Sequence, residues 1–85
     1  MKTKEPITAR FTVLSVREPT RPALRGKAVW DEDGNPTVSL EGDWADDVAE
    51  DIALGLTGLS RKEQKAARHS IGTALGPVHL HVEQR

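Results

Sequence analysis

Eighty-five residues with 36% apolar and 29% charged side chains make one small domain, too lean for a deep core and too regularly patterned for global disorder. The absence of cysteine excludes disulfide staples, thiolate nucleophiles and cysteine-type zinc fingers. The net charge of −1 conceals three blocks: positions 1–30 total +5, positions 31–56 total −9 with no base at all, and positions 57–85 total +3.

Such polarisation steers encounters with charged partners and favours a binding role. No apolar run approaches the ~20 residues that span a bilayer, and the N-terminus lacks the apolar region of a signal peptide. The expectation is a soluble cytoplasmic protein with no membrane partner.

Residues 1–6 read as a flexible polar leader and residues 7–85 as a single α+β domain. From Ile7, the residues Ile7, Ala9, Phe11 and Val13 alternate with Thr8, Arg10 and Thr12, which predicts a strand over 7–17. Leu14 and Val16 then fall on the other parity, implying a bulge near Val13–Leu14 or a strand end covered on both faces. Two prolines make 18–23 a loop. A second strand over 24–30 places Leu24, Gly26, Ala28 and Trp30 on one face, and after the Asp31–Pro36 turn cluster a third covers 37–41. Pairing Trp30 with Val38 and Ala28 with Leu40 keeps the apolar residues together and requires a loop of odd length, three or five residues.

At Gly42 the period changes. Asp43 is a good N-cap, Asp46 and Asp47 suit a first turn, and Trp44, Val48, Ile52 and Leu56 recur every four residues. These predict a helix over 44–56. Ser60-Arg61-Lys62-Glu63 is a capping-box pattern that opens a second helix over 61–75, with an apolar stripe of Ala67, Ile71, Ala74 and Leu75. A last strand over 78–83 alternates Val78, Leu80 and Val82 with His79, His81 and Glu83. The predicted fold is a small antiparallel sheet in β-β-β-α-α-β order, backed on one face by a helical hairpin. The last strand pairs most simply with the long first one.

Chemistry is harder to place. His79 and His81 share a strand face with Glu83, a spacing metal sites use, but no third ligand is set by sequence and an ordinary wet strand face looks the same. The carboxylates of Asp31, Glu32 and Asp33 fit no calcium loop, because the twelfth position is Gly42 where a glutamate is needed. Gly-x-Ser-x-Gly and phosphate-cradling glycine strings are absent. The expectation is a non-enzymatic protein with no catalytic residues, metal or cofactor.

Two binding surfaces remain. An acidic face of Glu41, Asp43, Asp46, Asp47, Glu50 and Asp51, with Trp44 as a possible anchor, would engage a protein with a basic surface in a regulatory or accessory role. Alternatively Arg61, Lys62, Lys65, Arg68 and His69 on the second helix, with the basic N-terminal third, would contact nucleic acid. A helix-turn-helix comparison is weakened by Leu54, where a small residue is normal, and by the acids on the first helix. Set side by side, an acidic and a basic helix would also partly neutralise one another. Trp30 and Trp44 read most simply as core pillars. Leu14, Val16 and Val29 make the second sheet face partly apolar, which would suit a homodimer.

Overall fold

The computed structural model describes residues 6–83, so most of the polar leader lies outside the described residues. Five strands form one antiparallel sheet: β1 (Ile7–Ser15), β2 (Leu24–Trp30), β3 (Pro36–Glu41), β4 (Arg68–Thr73) and β5 (Gly76–Val82), in the spatial order β3-β2-β1-β5-β4. Two helices, α1 (Ala45–Gly55) and α2 (Arg61–Gln64), interrupt the strands between β3 and β4. The last strand does lie beside the first, with Val13 opposite Leu80.

The main correction concerns residues 61–75. The second helix is one turn long, and the rest of its predicted span is the edge strand β4 plus a tight turn into β5. The capping box forms as expected, with the Ser60 hydroxyl accepting from the Glu63 N–H and the Glu63 carboxylate accepting from the Ser60 N–H. Beyond it, His69, Ile71 and Thr73 alternate with Arg68, Ser70 and Gly72. Two β-branched residues astride a glycine disfavour a helix interior, and Ile71 is buried within the strand. Gly76 and Pro77, expected to end a helix, instead open β5.

The β2–β3 loop has five residues, an odd length, but the pairing is two residues away from the expected one. Ala28 faces Val38, Gly26 faces Leu40 and Trp30 faces Pro36. The Asp31 carboxylate closes this loop by accepting from the backbone N–H groups of Asp33 and Asn35, each at 2.9 Å. Gly26 permits the register: a Cβ there would strike the Phe11 ring and stand 2.7 Å from Leu40 Cδ2. The phase change at Leu14 needs no bulge, since β1 pairs regularly with β5 through Ser15. Leu14 and Val16 are simply 39% and 46% exposed.

The core lies between the sheet and α1. Ala9, Phe11 and Val13 of β1, Ala28 and Trp30 of β2, and Val78 and Leu80 of β5 meet Ala45, Val48 and Ile52 of α1. Both tryptophans are pillars of this core, at 1% and 3% exposure. The Trp30 indole N–H donates to the Leu56 carbonyl and that of Trp44 to the Pro22 carbonyl, both at 2.8 Å. Trp44 occupies the N-cap position without a side-chain capping bond. Asp43, the expected cap, is exposed just before it, so the helix entry is held by the buried indole instead.

Replacing Trp30 with Phe leaves the buried Leu56 carbonyl without its donor. The expected loss is about 1–3 kcal/mol in urea unfolding, followed by Trp44 fluorescence. A loss indistinguishable from zero would mean that solvent replaces this bond without cost.

Candidate functional site

Both helices cover the same face of the sheet, and the other face is open. Strand alternation decides what stands there. Arg10 and Thr12 of β1, Arg25 and Lys27 of β2, Ser39 and Glu41 of β3, His79 and His81 of β5, and Arg68 and Ser70 of β4 share the parity opposite to the buried residues. The registers align them in transverse rows. One row crosses the whole sheet as Glu41–Arg25–Thr12–His81–Arg68, a second runs Ser39–Lys27–Arg10, and a third Leu14–His79–Ser70.

Adjacent strands are about 4.8 Å apart, so Arg25 and Arg68, three strands apart, root about 14 Å from one another. Arg10, Arg25 and Lys27 edge a shallow trough of about 510 Å³ that also includes Thr12, Ser39 and Glu83. This face therefore carries four permanent cations against Glu41 and Glu83. Among the described residues, the ion pair within 4 Å is Arg21 with Glu18, at 2.6 Å, and none involves these four cations.

The basic residues expected to act together are dispersed. Arg61, Lys62 and Lys65 are exposed on α2 and at its end, on the helix side of the sheet, whereas Arg68 stands on the open face. His69 turns inward from β4, and its Nε2 is buried without a hydrogen-bond partner among the described residues. Burial pushes its pKa below the ordinary histidine value, with the Glu63 carboxylate partly opposing the shift. Glu63 is itself held below the usual carboxylate range by its hydrogen bonds with the Ser60 backbone and side chain. Within the basic N-terminal third, Arg17 packs over Gly76 and Arg21 lies 5.6 Å above the Trp44 ring.

The acidic set is also divided. Asp46, Asp47 and Glu50 are exposed on α1, and Asp43 is exposed just before it. Asp51 is half-buried and accepts from the Ala74 N–H at 2.9 Å, tying α1 to the β4–β5 turn. Glu41 belongs to the open face beside Arg25, and Trp44 is buried, leaving the acidic face without its expected anchor. The mutual neutralisation expected of two antiparallel helices is not observed: no α1–α2 ion pair forms among the described residues.

The His79 and His81 rings lie 6.4 Å apart, flanked on β4 by Ser70 and Arg68. No group of three His, Asp or Glu side chains among the described residues could hold a metal ion. Among the described residues, no helix is long and apolar enough to cross a membrane. Compared with known proteins, the chain matches no family model, no curated protein and no solved structure.

The open-face cluster was encoded in strand parity: Arg10, Arg25 and Lys27 each occupy the polar parity of a strand that was correctly placed. Arg68 carried no such signal while 61–75 read as helix.

Half-buried His69 makes stability depend on pH. Its folded pKa is depressed, so the unfolded chain takes up a proton first, and acidification through about pH 6.5 favours unfolding. The urea midpoint should fall between about pH 7.5 and about pH 5.5, and the His69→Gln variant should show a smaller fall. Equal falls in the two proteins would exclude His69 as a source.

Proposed function

We propose that this is a non-enzymatic protein that binds the phosphate backbone of duplex nucleic acid, independently of sequence, through the open face of its sheet. The carrying observation is the concentration of Arg10, Arg25, Lys27 and Arg68 on one uncovered face, without ion-pair partners among the described residues. Cations of this kind replace condensed counterions on phosphate, and the hydroxyls of Thr12, Ser39 and Ser70 between them can donate to phosphate oxygens. Duplex is favoured over single strand because Phe11, Trp30 and Trp44 are buried on the helix side, which leaves no Phe or Trp as a stacking platform. Arg61, Lys62 and Lys65, on the other side, contribute little.

A second reading gives the exposed Asp46, Asp47 and Glu50 of α1 to a protein with a basic surface, as in a regulatory or accessory module. It is favoured by the absence of any ion-pair partner for these carboxylates among the described residues. Complementary charge there would speed encounter more than it would strengthen binding.

The test is a fluorescence titration of a labelled duplex across salt concentrations. Four phosphate contacts give a slope of log K against log salt of about −3.6, and a loss on the order of a hundredfold between 50 and 200 mM salt. Replacing Arg25 and Arg68 together with Ala should halve the slope, whereas Lys62→Glu with Lys65→Glu should leave it unchanged. Loss of binding only in the α2 variant would move the interface to the helix side. No binding at low salt would end this reading and leave the α1 carboxylates as bait for a protein partner.

A further inference from the structure

Every open sheet has two edges, and in this protein they are not equivalent. In an antiparallel pair the backbone groups of successive residues point alternately toward and away from the neighbouring strand. The Val82 N–H donates to the Ala67 carbonyl at 2.8 Å, so with the β4–β5 register the odd-numbered residues 69, 71 and 73 face β5. The N–H and C=O groups of Arg68, Ser70 and Gly72 consequently point outward. At the other edge, the Asp31 N–H donates to the Asn35 carbonyl, and the same alternation turns Pro36, Val38 and Leu40 outward on β3. Pro36 has no N–H, and proline is a common protection of sheet edges. β4 has no proline, and its outward residues offer a complete set of donors and acceptors.

A second feature lies beside that edge. α1 crosses the sheet and touches both edge strands, and its last turn rests on β4: a Cβ on Gly55 would stand 2.7 Å from Ile71 Cγ2. The neighbouring Leu54 is 67% exposed, more than any other large apolar residue described.

We propose that β4 pairs antiparallel with β4 of a second copy, joining two sheets into one continuous sheet about a two-fold axis through Ser70. This register satisfies the outward groups of Arg68, Ser70 and Gly72 in both copies. It places Arg68 opposite Gly72 of the second copy, so the guanidinium groups avoid facing each other, whereas a pairing centred on Arg68 would oppose them directly. It also brings the two α1 ends together, where each Leu54 loses exposure. The pairing is isologous and closes at two copies, because each β4 edge is used once, and Pro36 removes a donor from the opposite edge.

The experiment joins sedimentation velocity on the full chain, from micromolar to millimolar concentration, with amide hydrogen exchange. A concentration-dependent dimer is expected, in which the Ser70 and Gly72 amides gain protection as the dimer forms while Ile71 is protected throughout. Leu54→Glu, at an exposed site that does not disturb the core, should weaken association by about tenfold or more with unchanged circular dichroism. A protein that stays monomeric at millimolar concentration overturns the proposal. So does a dimer whose Ser70 and Gly72 amides exchange freely, which would place the contact on the open face or the helices.

Discussion

The crossing of the sheet by α1 is the constraint on which the rest depends. Eleven helical residues extend about 16 Å, and five strands at about 4.8 Å spacing are about 19 Å wide, so one helix of this length almost reaches from β3 to β4. It contacts both edges, and the single turn of α2 supplies a further contact with β1. Among the described residues no element packs on the opposite face of the sheet. One sheet face is therefore wet by construction, and its side chains need only tolerate water. The entry and exit of α1 are held by two buried indoles, Trp44 at Pro22 and Trp30 at Leu56, where the area of a large aromatic combines with one satisfied polar group.

Strands, the first helix and the capping box were legible because each rests on local information: parity, a four-residue recurrence, and a side chain that reaches its own backbone. The stretch after Lys65 was not. Ala67, Ile71, Ala74 and Leu75 satisfy a helical stripe, while His69, Ile71 and Thr73 satisfy a strand alternation, and Ile71 belongs to both patterns. What decides is tertiary: β5 has a second edge that needs a partner, and Asp51 receives the Ala74 N–H at the β4–β5 turn. A glycine at position 72 was the local warning, since it weakens a helix interior by about 1 kcal/mol relative to alanine.

The candidate site was legible in proportion to the strands. Arg10, Arg25 and Lys27 could be assigned to one face from parity alone, but their alignment in rows depends on register. The β2–β3 register in turn depends on how Gly26 admits Phe11 and Leu40. Trp44 admits two readings in the sequence, core pillar and exposed anchor, and it is a core pillar. Its position at a helix start among carboxylates resembles an exposed anchor, yet the loop bearing Pro22 folds over it and Arg21 closes the ring from above.

Block charge along the chain becomes charge by face in the fold. Alternation in β1 and β2 sends Arg10, Arg25 and Lys27 of the first block to the open side, while Asp46, Asp47 and Glu50 of the middle block are exposed on α1 on the other. A polyanion approaching the protein would be drawn to the open face rather than to the α1 carboxylates, and its orientation would follow from the charge distribution without base-specific contacts. Antiparallel pairing across β4 would preserve this asymmetry, because a two-fold axis perpendicular to the sheet keeps both open faces on the same side. Pairing would double the number of cations facing one duplex, and the salt slope of a dimer would approach twice that of a single copy.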